Sequence, residues 1–129
     1  MQIDGNEVVV KKSAKELYEY FAQLQNFKQV MPESIEKFEV EGDTFVFGLK
    51  GMPEIRLILK EKTPYSKITL AAASSKIPFT LHAAIDGFSE NESKVQFQFQ
   101  GDFNPMMAMM VKKPLTKFIE TITENIQKF

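Results

Sequence analysis

Two stretches near the carboxyl end of the chain alternate between apolar and polar residues with a period of two. Residues 94–103 and residues 79–88 both follow this pattern. Successive side chains of a β-strand point to opposite faces, so the alternation predicts strands with one buried and one hydrated face. An antiparallel sheet accommodates such strands, because only one of its faces needs a cover. The apolar face consists of Phe79, Leu81, Ala83 and Ile85 in residues 79–88, and of Val95, Phe97, Phe99 and Phe103 in residues 94–103.

Five further stretches have the composition of strands and are separated by turn signals, which makes seven strands in all. The segment Glu41-Gly42-Asp43 predicts a tight hairpin turn between two of them. Together the seven predicted strands cover residues 3–11, 35–41, 44–49, 55–62, 67–73, 79–88 and 94–103.

Two short helices are predicted between the first and second strands. Ser13 and Glu16 have the spacing of a capping box, which predicts a helix start at Ser13. The helix has an apolar face formed by Leu17, Tyr20, Phe21 and Leu24. Asn26 is a suitable cap for a second helix through Val30, which ends before Pro32 because a residue preceding proline avoids helical geometry.

A long helix is predicted at the carboxyl end. Asn104-Pro105 places a favoured capping residue before proline at the first helical position. Downstream, the apolar residues fall within a single arc at helical spacing, so this side of the helix is expected to cover the sheet. The arc contains Leu115, Phe118, Ile119, Ile122, Ile126 and Phe129.

Composition narrows the class of protein. The 129 residues suit a single domain spanning 1–129, and the 16 basic and 17 acidic residues give no basic stripe for nucleic acid. The absence of cysteine excludes disulfides and thiolate metal sites. No apolar run approaches the roughly 20 residues that span a bilayer, and the first ten residues do not have the pattern of a signal peptide. A cytoplasmic protein is therefore expected.

The segment Leu24-Gln25-Asn26-Phe27-Lys28-Gln29-Val30-Met31-Pro32 carries a family resemblance. It resembles the D-L-x-N-x-x-x-W-M-P segment of the START-like superfamily, also called SRPBCC, which includes birch-pollen allergens and polyketide cyclases. A glutamine stands in place of the usual Asp, and Val30 in place of the usual Trp. The order of predicted elements is similar over essentially the whole chain. The three-residue turn at Glu41-Gly42-Asp43 differs from the glycine-rich loop of the plant-allergen branch.

The resemblance implies an α+β helix-grip fold. In this fold a curved seven-stranded antiparallel sheet wraps around the long carboxy-terminal helix, and two short helices lie between strands 1 and 2. It also implies a ligand cavity between sheet and helix. With 12 Phe and 7 Met but no Trp, the interior is expected to be bulky and apolar. The expected cavity residues are Phe38, Phe45, Phe47, Leu57, Leu59, Leu70, Ala72, Phe79, Leu81, Ala83, Phe97, Phe99, Met107, Val111 and Phe118.

Few polar residues are candidates for chemistry inside that cavity. Glu61 shares its parity with Leu57 and Leu59, so it could point inward as a polar anchor or a base, unless a bulge or the strand end leaves it in solvent. Ser74 has inward parity too and could orient a ligand, or it could lie in a loop. His82 has the outward parity and is expected to face water. We therefore predict no catalytic residue, metal site or cofactor.

The run Met106-Met107-Ala108-Met109-Met110 is the most unusual local feature. Helical projection places Met107 on the core side and the other three methionines on the opposite side. These three could be covered by loops, or they could form an adaptable contact surface, since unbranched methionine tolerates varied partners. Binding of copper by the methionine thioethers is less favoured, because no cysteine or histidine is near. Transient contact with an anionic membrane is also less favoured, because three lysines attract lipid only weakly.

The resemblance implies three candidate functions, which these residues help to distinguish. The leading hypothesis is binding or transport of a hydrophobic small molecule, such as a lipid, an isoprenoid or an aromatic metabolite, in the cavity. The second is an enzyme similar to polyketide cyclases or dehydratases, which would need Glu61 as its interior acid or base. The third is a chaperone-associated or ribosome-associated interaction module that uses the methionine run. A binding protein is favoured over an enzyme.

Overall fold

The computed structural model describes residues 1–33, 35–48, 54–72 and 79–128. Within these ranges the elements follow the predicted order, with one strand more than predicted. The helices are α1 (Ala14–Phe21), a 3-10 helix (Leu24–Val30) and α2 (Pro105–Ile126). The strands are β1 (Gln2–Asp4), β2 (Val8–Val10), β3 (Lys37–Glu41), β4 (Thr44–Gly48), β5 (Ile55–Thr63), β6 (Lys67–Ala72), β7 (Phe79–Gly87) and β8 (Ser93–Gly101).

The strands form one curved antiparallel sheet, and α2 covers its inner face. Its order is β1-β8-β7-β6-β5-β4-β3, and β2 also pairs with β8. The predicted hairpin is confirmed: Glu41 pairs with Thr44, and Gly42 has a φ of 58°, which glycine adopts at little cost. The α+β helix-grip prediction is therefore confirmed.

The prediction of a single strand over residues 3–11 was wrong, because β1 and β2 are separate. The backbone N–H of Gly5 donates to the Phe97 carbonyl over 2.8 Å. A Cβ at Gly5 would lie 2.9 Å from Cγ2 of Ile119 and 3.0 Å from Oγ1 of Thr123, so the chain approaches α2 closely there. Close approach of backbone to a neighbouring element is a common reason for glycine inside a strand pattern.

The helix starts were predicted well and the second short helix less well. Ser13 Oγ accepts from the backbone N–H of Glu16 over 3.1 Å, as the capping box requires. Asn26 is not a cap: the second helix begins at Leu24 as a 3-10 helix, and Asn26 Nδ2 donates to the Tyr20 carbonyl over 2.8 Å. Asn104 does cap α2, since its Oδ1 accepts from the Met107 N–H over 2.8 Å.

The inner side of α2 supplies much of the core. Its predicted apolar arc is confirmed except at Phe129, which lies outside the described residues. Within the described ranges, no helix is both long enough and apolar enough to cross a membrane. The buried residues of α2 are Val111, Leu115, Phe118, Ile119, Ile122, Thr123 and Ile126.

Candidate functional site

The candidate site is the interior between the sheet and α2. All fifteen residues predicted to line it are within the described ranges and are at least half-buried. Five of them are half-buried, namely Phe38, Leu59, Ala72, Phe79 and Met107. The other ten are buried: Phe45, Phe47, Leu57, Leu70, Leu81, Ala83, Phe97, Phe99, Val111 and Phe118. Their burial fits the predicted inward side, whereas their role in ligand binding stays a prediction.

One end of this interior is closed by the 3-10 helix. Phe27 of that helix stacks on Phe45 with ring centroids 5.7 Å apart, and Phe45 contacts Phe47 at 5.9 Å. Phe47 in turn stacks on Phe118 of α2 at 5.2 Å. Aromatic pairs at these distances stabilise a fold beyond the area they bury, so this row joins the 3-10 helix, β4 and α2.

A hydrogen bond fixes the end of α2 to the same closed end. Asn125 Nδ2 donates to the carbonyl of Val30 over 2.8 Å and lies 3.3 Å from that of Met31. Val30 is buried, so its carbonyl gains a partner that water would otherwise have to supply.

The other end, where α2 begins, is lined by half-buried side chains. Phe79 stacks on Phe99 at 5.4 Å, and Phe99 stacks on Phe103 at 6.1 Å. Phe79, Phe103 and Met107 are all half-buried and pack against the core.

Phe103 was not among the predicted cavity residues, although its parity with Phe97 and Phe99 indicated the inner face. A Cβ added to Gly101 would collide with the Phe103 ring, so glycine there leaves room for the ring to lie over the strand end. A groove of about 610 Å³ opens at the same strand ends, and Ala72 and Phe79 are the predicted cavity residues that border it. Its described lining is Met1, Gln2, Lys60, Ala71, Ala72, Phe79, Thr80, Gln100, Gly101 and Asp102.

Glu61 does not point into the interior: of the two alternatives that the sequence left open, the solvent-exposed position past a bulge is the one observed. Leu59 pairs with Leu70 and Glu61 pairs with Thr69, which leaves Lys60 as an extra residue in β5. This β-bulge reverses the parity, and Glu61 is exposed on the outer face. Ser74, the second predicted anchor, lies outside the described residues.

The buried polar side chains of the described interior do not ionise. They belong to Ser93 and Thr123, whereas the buried Thr69 lies on the outer face of the sheet, where its hydroxyl bonds His82. Ser93 Oγ donates to the Lys12 carbonyl over 2.8 Å, and Thr123 Oγ1 donates to the Ile119 carbonyl over 2.7 Å. These hydroxyls are engaged by backbone, so the described interior offers a ligand mainly apolar contact.

His82 lies on the outer face, as its parity predicted, but it is half-buried. Its Nδ1 is 3.0 Å from Thr69 Oγ1 and its Nε2 is 3.2 Å from Thr80 Oγ1. Desolvation lowers the pKa of His82, the positive charge of Lys67 lowers it further, and Glu61 partly opposes these effects. A neutral imidazole with one donor and one acceptor nitrogen suits this pair of threonines.

No protein-family model and no curated protein matches the chain. Solved structures match it closely in fold. Norcoclaurine synthase from Thalictrum flavum in complex with dopamine and hydroxybenzaldehyde has 12% sequence identity and a TM-score of 0.71, with 99% of this chain and 84% of that chain covered. A conserved protein from Geobacillus kaustophilus has 11% sequence identity and a TM-score of 0.71, with 99% of this chain and 93% of that chain covered.

A protein from Thermus thermophilus has 12% identity and a TM-score of 0.69, with 99% of this chain and 95% of that chain covered. Likeness at this level of identity establishes the fold: the chain has the Bet v1-like helix-grip fold. Function has to be argued from the site, because one fold hosts many activities.

Proposed function

We propose that this protein binds a neutral, apolar small molecule between its sheet and α2. The observation that supports the proposal is the apolar inner face of the sheet, which consists largely of phenylalanine, leucine and alanine side chains. Ligand pockets are mostly apolar with few polar groups, and the described interior matches that chemistry. The class of ligand favoured by these walls is a lipid, an isoprenoid or an aromatic metabolite.

The proposed entrance is the end formed by Phe79, Phe103 and Met107. These side chains are half-buried, whereas the opposite end is closed by the Phe27–Phe45 stack and the Asn125 hydrogen bonds. Methionine at an entrance can adjust its shape, because its chain is unbranched and has three rotatable bonds.

Binding is favoured over catalysis because the acid or base proposed from sequence is not inside. Glu61 is on the outer face, and His82 is held there by two threonines. A cyclase-like mechanism that relied on Glu61 therefore loses the residue on which it depended.

The proposal is tested by filling the interior. Ala83 is buried between Ile68 and Phe97 on the neighbouring strands, so Ala83→Phe adds a ring to the inner face. The adjacent Ala84 lies on the outer face opposite Lys67 and Gln96, so Ala84→Phe is a matched control. In a titration with the neutral dye Nile red, Ala83→Phe should weaken binding by about tenfold or more, and Ala84→Phe should leave it unchanged.

Overpacking can destabilise a core by about 1–3 kcal/mol, so thermal unfolding is measured on both variants. If Ala83→Phe does not fold, Met107→Lys provides the second test, because it places a charge at the entrance without filling the core. Unchanged dye binding in a folded Ala83→Phe protein, or in Met107→Lys, would contradict the proposal.

A further inference from the structure

Three methionines at the start of α2 face solvent. Met106 is 76% exposed, Met109 83% and Met110 66%. They are spaced three and four residues apart and so share one side of the helix. Met107 and Val111 in the same turns face the core, which anchors the helix while the other methionines project outward. The described chain does not cover them, in contrast to the interpretation that loops pack over the run.

The same side of the helix is positively charged. Lys113 and Lys117 lie on this side and Lys112 flanks it; all three are exposed, and residues 103–119 contain no acidic residue. None of these lysines forms an ion pair with a described residue. A groove of about 910 Å³ runs along this side; its described lining includes Met109, Lys113 and Lys117, and Glu120 at its far end is the first acid.

We propose that this methionine–lysine face, formed by Met106, Met109, Met110, Lys112, Lys113 and Lys117, docks reversibly on a lipid bilayer that contains anionic lipids. Methionine side chains can enter the boundary between headgroups and acyl chains, while the lysine stems extend along it and keep their ammonium groups at the phosphates. Each lysine near an anionic surface contributes roughly a fivefold gain in partitioning.

A bilayer fits this face better than a protein partner does. A stable protein interface needs roughly 800 Å² on each side with matching shape. The face is one side of a helical segment about 17 Å long, and its exposed apolar atoms belong mainly to flexible methionines. A fluid lipid surface requires no complementary shape. The inference is independent of the proposed ligand, since it depends only on exposed residues of α2.

The test is co-sedimentation of the protein with vesicles of phosphatidylcholine, with and without phosphatidylserine. Wild type should bind only the phosphatidylserine vesicles, and high salt should release it. Lys113→Glu combined with Lys117→Glu should weaken binding by about twentyfold or more. Met109→Gln combined with Met110→Gln should weaken it as well, with an unchanged unfolding midpoint, because both methionines are exposed.

The matched control is Lys11→Glu combined with Lys15→Glu, which changes the net charge equally at exposed positions around the start of α1. This control variant should bind vesicles much better than the variant with Lys113→Glu and Lys117→Glu. The proposal is overturned by failure of wild type to bind phosphatidylserine, by equal losses in both lysine pairs, or by full binding of the methionine pair. It is also overturned if the Met109→Gln, Met110→Gln variant loses self-association of the protein but keeps vesicle binding. Nile red titration of the same variants reports on the interior, so failure of either proposal is seen separately.

Discussion

At the scale of single residues, the outer face of the sheet contains a polar row that crosses several strands. Glu61 pairs with Thr69, Thr69 with His82, His82 with Gln98, and Gln98 with Asp4. Thr69 is 3% exposed although it lies on the outer face, and its hydroxyl is satisfied by His82. The row is therefore packed well enough for the charge state of His82 to matter for stability.

His82→Gln should change how stability depends on pH. The folded protein holds the pKa of His82 below its usual 6.5. The unfolded chain therefore binds more protons as the pH falls through 6.5, and the free energy of unfolding should decrease in that range. Chemical unfolding from neutral to mildly acidic pH should show a smaller decrease for His82→Gln than for wild type. Lys60, Lys67 and Glu61 remain in both proteins, so the comparison isolates the titration of His82. The same dependence of unfolding free energy on pH in both proteins would contradict a lowered pKa of His82.

Glu61→Gln should have little effect. An exposed residue away from special features changes stability by about 0.5 kcal/mol or less, and Glu61 is exposed past the bulge. Urea unfolding and Nile red binding should both match wild type. A large loss of dye binding would show that the carboxylate acts on the interior after all.

The sequence alone could not decide the orientation of Glu61, for a physical reason. Counting alternate residues from Leu57 and Leu59 assumes an uninterrupted strand, and a single extra residue at Lys60 reverses every later side chain. No local signal marks this bulge, because lysine is compatible with a regular strand position. The parity of His82 was predicted correctly, since β7 pairs without a break along its length.

At the scale of elements, the start of α2 depends on one side chain. Asn104 Oδ1 accepts from the Met107 N–H over 2.8 Å. Asn104→Ala should lower the free energy of unfolding by about 1 kcal/mol. Asn104→Asp should keep most of the stabilisation by the cap, because Asp also caps helices well. Equal unfolding midpoints for Asn104→Ala and wild type in urea would contradict the capping role.

The link between the sheet and α2 is tested at Phe47 and Phe118. A double-mutant cycle with Phe47→Leu and Phe118→Leu should give a coupling energy of about 0.5–1.5 kcal/mol, since the rings stack at 5.2 Å. The control cycle pairs Phe118→Leu with Phe88→Leu on an exposed ring, and these changes should add within about 0.5 kcal/mol. Additive effects at Phe47 and Phe118 would indicate that this contact does not join the elements.

Element order and most boundaries could be predicted because they depend on local patterns, namely alternation, the Ser13 and Asn104 caps and the turn at Gly42. The division between β1 and β2 could not be predicted, because it arises where Gly5 meets α2 across the fold. The start of the 3-10 helix was misplaced by three residues, since Asn26 bonds the Tyr20 carbonyl instead of capping, whereas its end at Val30 was predicted correctly.

At the scale of the whole molecule, the interior has two different ends. The 3-10 helix and Asn125 close one end, while Phe79, Phe103 and Met107 leave the other half-buried. The sequence predicted which side chains face inward. It could not predict which end is closed, because that depends on contacts between residues such as Val30 and Asn125, which are 95 positions apart. The proposed entrance and the methionine–lysine face both lie at the start of α2.

The central proposal, an apolar ligand between sheet and α2, is tested most directly by native mass spectrometry of protein purified gently from its own host. The spectra of wild type should show a reproducible added mass that disappears on denaturation and is recovered in an organic extract. The mass should be absent from folded Ala83→Phe and present in Ala84→Phe. A wild-type protein that carries only its own mass, and that also fails to bind Nile red and a panel of lipids and quinones, would contradict ligand binding between the sheet and α2.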